Sequence, residues 1–345
     1  MTALGILWFI LIAVLVIGYF VLDGFDLGAG VLYPLLAKDD VDKRRILRAI
    51  GPVWDGNEVW LLTAGGALFA AFAPAYATVF SGFYLAIMLV LFGLIARAVS
   101  IEFRAHDAQW PKLWDVCLFV GSLLPARLLG VACGNIIQGV ALNAHGDYIG
   151  GFFALLRPFP LLCGLLGLAH MLTQGASWIA LKAPLGSDLR ANACGLRRIF
   201  VMVELALFVL ASVLFFAAIL PKLSYAPSTG GMIIAGAFAV IFLGSMAAVF
   251  LGTKGDEPKA DLMAIIMASV GAASLVVIMF ATIFPNLVPA LDAANSITIA
   301  VAQGSPATLG AMTIIACIGV PLVLLYHVIV YRTFRGKVKE EDLEY

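Results

Sequence analysis

Nine apolar runs, each about 20 residues or longer, alternate with short polar stretches and predict nine membrane-crossing helices. They lie near 4–36, 49–72, 77–101, 113–135, 159–181, 196–220, 232–251, 262–284 and 309–331. The first is longer than a bilayer requires, about 50 Å if wholly helical. Two runs break their own pattern. Asp23 and Asp26 sit inside the first, in VLDGFDLG, and Asp55 and Glu58 inside the second, in GPVWDGNEVW.

Basic residues give the runs a direction. Lys38, Lys43, Arg44, Arg45 and Arg48 follow the first run, Arg104 and Lys112 the third, and Lys182, Arg190, Arg197 and Arg198 the fifth. Lys254 and Lys259 follow the seventh, and Arg332, Arg335, Lys337 and Lys339 the ninth. The opposite connections hold little beyond Arg157 and Lys222. The positive-inside rule then predicts the N-terminus outside and the C-terminus in the cytoplasm.

Composition agrees with a polytopic membrane protein: 63% of the 345 residues are hydrophobic and 12% charged, with mean hydropathy +1.04, far from a solvated globular domain. The first run has no basic residue before it and exceeds signal-peptide length, so it reads as a retained span. A net charge of zero gives no indication of nucleic-acid binding. Cys117, Cys133, Cys163, Cys194 and Cys317 show no metal-ligand spacing and read as small buried apolar residues. There is no Walker A loop, no HExxH and no glycine-rich strand-to-helix turn.

The candidate chemistry therefore lies in the charged residues of the runs. Each acid pair is spaced three residues apart, which places both carboxyls on one helix face. Left unpaired near mid-membrane, four carboxylates would oppose insertion by about 10 kcal/mol. They must line a protein-enclosed, polar seam. Asp55 is expected roughly 9 Å along the second run, with Glu58 a turn deeper, and Arg97 about 6 Å from the inner end of the third. With Glu102 and His106 these residues form a candidate ladder for protons or cations from the inner surface. The structural alternative is a buried ion pair of Arg97 with Asp55 or Glu58, tying two spans together.

Gly24, Gly28 and Gly30, and Gly65, Gly66 and Ala67, are candidates for close helix contact, with a kink expected at Gly24. A weak internal match lays 17–28 on 168–179, which would make spans one to four and five to eight parallel repeats with the ninth as an addition. Only Glu204 remains as an acid within a span of the second half. The polar connections 136–151, with Asn143, His145 and Asp147, and 285–307 read as loops or surface helices. His106 and His145 fall in loops, and His170 and His327 in spans five and nine, with no sequence pairing that suggests two haem ligands.

The blocks VLDGFDLG, GPVWDGNEVWLLTAGGALFAAF, FSGFY and RAVSIEFR, followed by LWD, GNIIQGV, LTQGASW and FPNLVP, closely resemble subunit II of cytochrome bd quinol oxidases over almost the whole chain. The resemblance implies an all-α membrane subunit of nine helices, two four-helix bundles plus one. Its implied units are 1–135, a periplasmic connection 136–158, 159–284, a periplasmic loop 285–308, and 309–345. It implies a partner, subunit I, that carries the b haems and haem d and oxidises quinol. It also implies a bacterial or archaeal cytoplasmic membrane, and a complex that reduces oxygen to water with protons from the cytoplasm. Haem ligands are not expected on this chain. Small accessory subunits and a quinone within this subunit vary among members.

By the same resemblance Asp55, Glu102 and His106 belong to a cytoplasmic proton route, although some relatives carry Asp and Lys where this chain has Glu102 and His106. Trp60 matches a tryptophan near a lateral oxygen entrance. Two other readings stand beside this one: a proton-coupled secondary transporter, and a structural scaffold for an enzyme whose chemistry lies elsewhere.

Overall fold

A computed structural model describes residues 1–107, 109–252 and 258–343; Lys254 lies outside them. Long apolar stretches leave the backbone no partner but itself, and the chain answers with helices. In order these are α1 (Ala3–Leu36), α2 (Asp40–Ile50), α3 (Trp54–Ala71), α4 (Ala73–Gly82), α5 (Tyr84–Phe103) and α6 (Pro111–Gln138). Then follow α7 (Pro158–Lys182), α8 (Asp188–Leu214), α9 (Thr229–Leu251), α10 (Pro258–Ile283), α11 (Ile299–Ala302) and α12 (Pro306–Thr333). Side-chain oxygens of Thr2, Asp39, Ser187, Ser228 and Ser305 cap the starts of α1, α2, α8, α9 and α12, satisfying peptide N–H groups that have no helical acceptor.

Among the described residues eight helices are long and apolar enough to cross a membrane: α1, α5, α6, α7, α8 with its continuation to Lys222, α9, α10 and α12. The expected run 49–72 is not one helix. Ala49 and Ile50 end α2, residues 51–53 turn, and α3 begins at Trp54; Pro52, which has no N–H to donate, sits in the break. At 18 residues and with Asp55, Asn57 and Glu58 in its first two turns, α3 has no 18-residue stretch as apolar as those of the eight. The run 77–101 is likewise divided, between α4 and α5 at Phe83.

Connections sort to two ends. At one, the Gly304 N–H donates to the Ala71 carbonyl at 2.8 Å, Val140 N–H to Pro289 at 3.0 Å and Thr2 N–H to Gln303 Oε1 at 3.1 Å. The polar loops expected at 136–151 and 285–307 thus meet each other there, the second folding as a short antiparallel pair, β1 (Asn286–Val288) with β2 (Ile297–Thr298). At the other end Trp178 Nε1 donates to the Ala49 carbonyl at 2.9 Å, and Val338 N–H to the Lys182 carbonyl at 2.8 Å. That end gathers α2 and the C-terminal tail with their basic residues.

α1 occupies the middle, against α3, α6, α7 and α10. Its helix is continuous past Gly24. Gly28 and Gly175 cross backbone to backbone: a Cβ on Gly28 would collide with the Met171 carbonyl, and one on Gly175 with the Gly28 backbone. Gly30 meets α6 at Ser122. Gly66, expected to serve the same purpose, has nothing within 4 Å of a Cβ position among the described residues, so it makes no close helix contact with them.

Candidate functional site: a buried carboxyl group around Arg97

Four helices bring charged and polar side chains to one place. α1 contributes Asp23 and Asp26 from consecutive turns, α3 contributes Asn57 and Glu58, α5 contributes Arg97 and α12 contributes Tyr331. Arg97 Nη1 lies 2.6 Å from Asp23 Oδ1, and Nη2 lies 2.8 Å from Glu58 Oε2. Asn57 Nδ2 donates to Asp26 Oδ2 at 2.7 Å, and its Oδ1 accepts from the Tyr331 hydroxyl at 2.9 Å. The structural alternative named Asp55 or Glu58 as the partner of Arg97. The guanidinium takes Glu58 together with Asp23, and not Asp55.

Burial divides the group. Asp23, Asp26, Asn57 and Arg97 are fully buried, while the Glu58 side chain keeps 21% of its surface exposed. Among the three carboxyls, Glu58 is the one with exposed surface. Such charges persist in a low-dielectric interior only when paired. One guanidinium faces three carboxyls. Asp23 Oδ2, Asp26 Oδ1, Arg97 Nε and the Tyr19 hydroxyl have no hydrogen-bond partner among the described residues, so the group retains unused donor and acceptor positions.

The remaining candidates stand outside this group. Asp55 is exposed in the first turn of α3, one turn before Glu58; its start at Trp54 places Asp55 at the helix entrance instead of 9 Å along. Glu102 and His106 are exposed at the end of α5, and His106 Nδ1 is 3.0 Å from the Glu102 carbonyl. Trp60 is buried, and its indole N–H donates to His327 Nε2 at 3.2 Å. His327 Nδ1 lies 2.8 Å from the Val323 carbonyl, so Nδ1 carries the hydrogen and Nε2 accepts. His170 Nδ1 lies 3.3 Å from Glu204 Oε2 without a hydrogen bond, and that oxygen accepts from the Thr173 hydroxyl at 3.0 Å.

Several participants escaped sequence reasoning. Asn57 sits in the quoted GPVWDGNEVW block, where its amide offered a signal; Tyr331 lies 274 positions away and offered none. Asp115, in the LWD block, carries no sequence signal of its partners. It collects Lys43 and Arg104 at 2.6 and 2.7 Å and the Tyr33 hydroxyl at 2.6 Å, knotting α1, α2, α5 and α6 at the basic end. Asp261 does the same for α8 and α10, with Arg190 at 2.9 Å and Arg197 at 3.3 Å.

The chain matches the family model described as cytochrome bd terminal oxidase subunit II over residues 4–334. It is 36% identical to cytochrome bd-I ubiquinol oxidase subunit 2 of Escherichia coli (strain K12), covering 99% of this chain and 97% of that one. It is 33% identical to cytochrome bd ubiquinol oxidase subunit 2 of Bacillus subtilis (strain 168), covering 99% of both. Its fold resembles a chain of the bd oxidase from Geobacillus thermodenitrificans with TM-score 0.77 and 17% identity, over 96% of this chain and 99% of that one. With the family model spanning nearly all of it and relatives matched end to end, the chain belongs to the cytochrome bd terminal oxidase subunit II family.

Proposed function

We propose that this chain is subunit II of a respiratory terminal oxidase in the inner membrane, beside a haem-bearing subunit I, in a complex that oxidises membrane quinol and reduces oxygen to water. Its own contribution is to support that partner and to line a proton path from the cytoplasm. In this reading α3 is the ninth crossing, supported by its run from Trp54 at the basic end to Ala71 at the other. The basic end faces the cytoplasm, and the halves 1–135 and 159–284 form two bundles with α12 beside them. Family membership favours the oxidase over a transporter.

The observation that carries the proton reading is the Asp23, Arg97, Glu58 triad drawn from three helices, with Asp26 beside it. With three carboxylates to one guanidinium, the first two protons taken up bring the group to neutrality. Each one released restores the negative charge that attracts the next. Exposed Asp55 stands one turn before Glu58 on α3, and Glu58 reaches Arg97. Entry would run through Asp55 and Glu58 to Asp23 around Arg97, which holds both carboxyls and does not itself release a proton, while Glu102 and His106 would collect protons at the surface. Haem bound in the partner supplies the oxygen chemistry. His327 already uses both ring nitrogens. Trp60, held by His327, is proposed to border the oxygen entrance.

A quinone held by this subunit would lie in the apolar cavity of about 260 Å³ between α6, α7, α8, α9 and α10, lined by Phe159, Phe208, Phe215 and Met279, with His170 as its polar contact. The test of the main reading is Asp55→Asn in a complex that assembles with full haem. Slowed quinol-driven oxygen uptake supports a proton path; unchanged turnover favours a structural scaffold.

A further inference from the structure

The C-terminal tail and the ends of α2, α7 and α12 enclose a second cavity, of about 130 Å³, at the basic end. Its wall carries Lys182, Arg335 and Lys337, with Arg48 beside them, and the carboxylate of Asp342. The Asp342 carboxylate already accepts from the Lys339 N–H at 2.8 Å. Asp261, the acid behind Lys337 at 3.8 Å, is taken up by Arg190 and Arg197.

The two lysines hold the tail in place. Lys182 Nζ donates to the Phe334 carbonyl at 2.6 Å, and Lys337 Nζ donates back to the Ala180 carbonyl at 3.1 Å. Each ammonium spends one of its three N–H groups on a carbonyl; Lys337 shares Asp261 with two arginines, and the Lys182 charge meets no carboxylate among the described residues. Lys182 is buried at 8% exposure, has its ammonium 4.8 Å from the Trp178 ring centre, and has no carboxylate at ion-pair distance among the described residues. Burial pushes the Lys337 ammonium below the ordinary lysine range. Like charges enclosed together in a partly desolvated space are costly, and an oxyanion that accepts from several donors at once offsets that cost.

We propose that this cavity binds a phosphate-type oxyanion, held by Lys182, Lys337 and Arg335, as the headgroup of an anionic phospholipid or as free phosphate. The site is independent of the proton path. Its occupant would lock residues 334–338 against α7. The lipid source agrees with a basic pocket at the end of membrane-length helices; the free anion needs only the charges.

The test uses the intact complex with its partner subunit. Thermal unfolding is measured with inorganic phosphate against chloride at equal ionic strength. Native mass spectrometry counts phosphatidylglycerol retained after delipidation, against phosphatidylcholine as control. The variants are Arg335→Gln, which is exposed and leaves both carbonyl bonds in place, and Lys337→Gln. A phosphatidylglycerol retained by the wild type and lost from both variants assigns the headgroup. Phosphate-specific stabilisation, with apparent affinity weakened about tenfold or more in the variants and no retained lipid, assigns the free anion. Absence of both effects in the wild type, or equal effects in wild type and variants, overturns the proposal.

Discussion

Arg97 and Asp23 form an ion pair at 2.6 Å in which neither side chain has any exposed surface. Removing one partner strands the other. Arg97→Leu should therefore cost about 3–5 kcal/mol, seen as loss of assembled complex or a large fall in thermal midpoint. The triple change with Asp23→Leu and Glu58→Leu should restore assembly without restoring turnover. Recovery of assembly together with full oxygen uptake would reduce the triad to a structural pair.

Asn57 holds Asp26 and Tyr331 at once. Asn57→Ala removes both bonds and should cost about 1–3 kcal/mol, while Tyr331→Phe, which removes one donor and leaves Asp26 bonded, should cost less. Thermal unfolding of the assembled complex ranks them; equal effects would mean that Asp26 is not what Asn57 serves.

The crossing of α1 and α7 gives an internally controlled comparison. Gly28→Ala forces a methyl into the Met171 carbonyl and should destabilise by about 1–3 kcal/mol. Gly66→Ala meets nothing within 4 Å among the described residues and should change stability by less than about 0.5 kcal/mol. If Gly66→Ala disrupts the complex as strongly, that face of α3 contacts the partner subunit.

The loop after α5 should be acid-sensitive. Trp114 Nε1 donates to Asp107 at 3.0 Å, and this bond, with the peptide N–H groups of Gln109 and Trp110, holds the Asp107 carboxyl below its ordinary range. A lowered folded value means the stabilisation is present above the ordinary carboxylate value and is lost as pH falls through the lowered one. Indole fluorescence should report loosening at Trp114 in that acid window, and Asp107→Asn should abolish the transition.

The intramembrane acids and Arg97 were legible in the sequence because charge inside an apolar run is costly enough to demand a partner. The choice of partner was not. Spacing along α3 made Asp55 and Glu58 equal candidates for Arg97, and only the start of that helix at Trp54 turns Asp55 outward. Pro52 marked the break between α2 and α3, but Ala49 and Ile50 before it join the apolar run that follows and hid it. The α4 to α5 division at Phe83 has no proline to announce it. Tyr331 reaches Asn57 through tertiary packing alone. Gly28 and Gly66 look alike in sequence and differ only in whether another helix arrives.

The central claim is that the buried carboxyls around Arg97 exchange protons during turnover. Redox-triggered infrared difference spectra of the assembled, fully haem-loaded complex test it directly, with the wild type set against Glu58→Gln and Asp26→Asn. The account predicts a protonated-carboxyl band that changes with turnover and disappears or shifts in at least one of the two variants. An identical carboxyl region in all three complexes would contradict it.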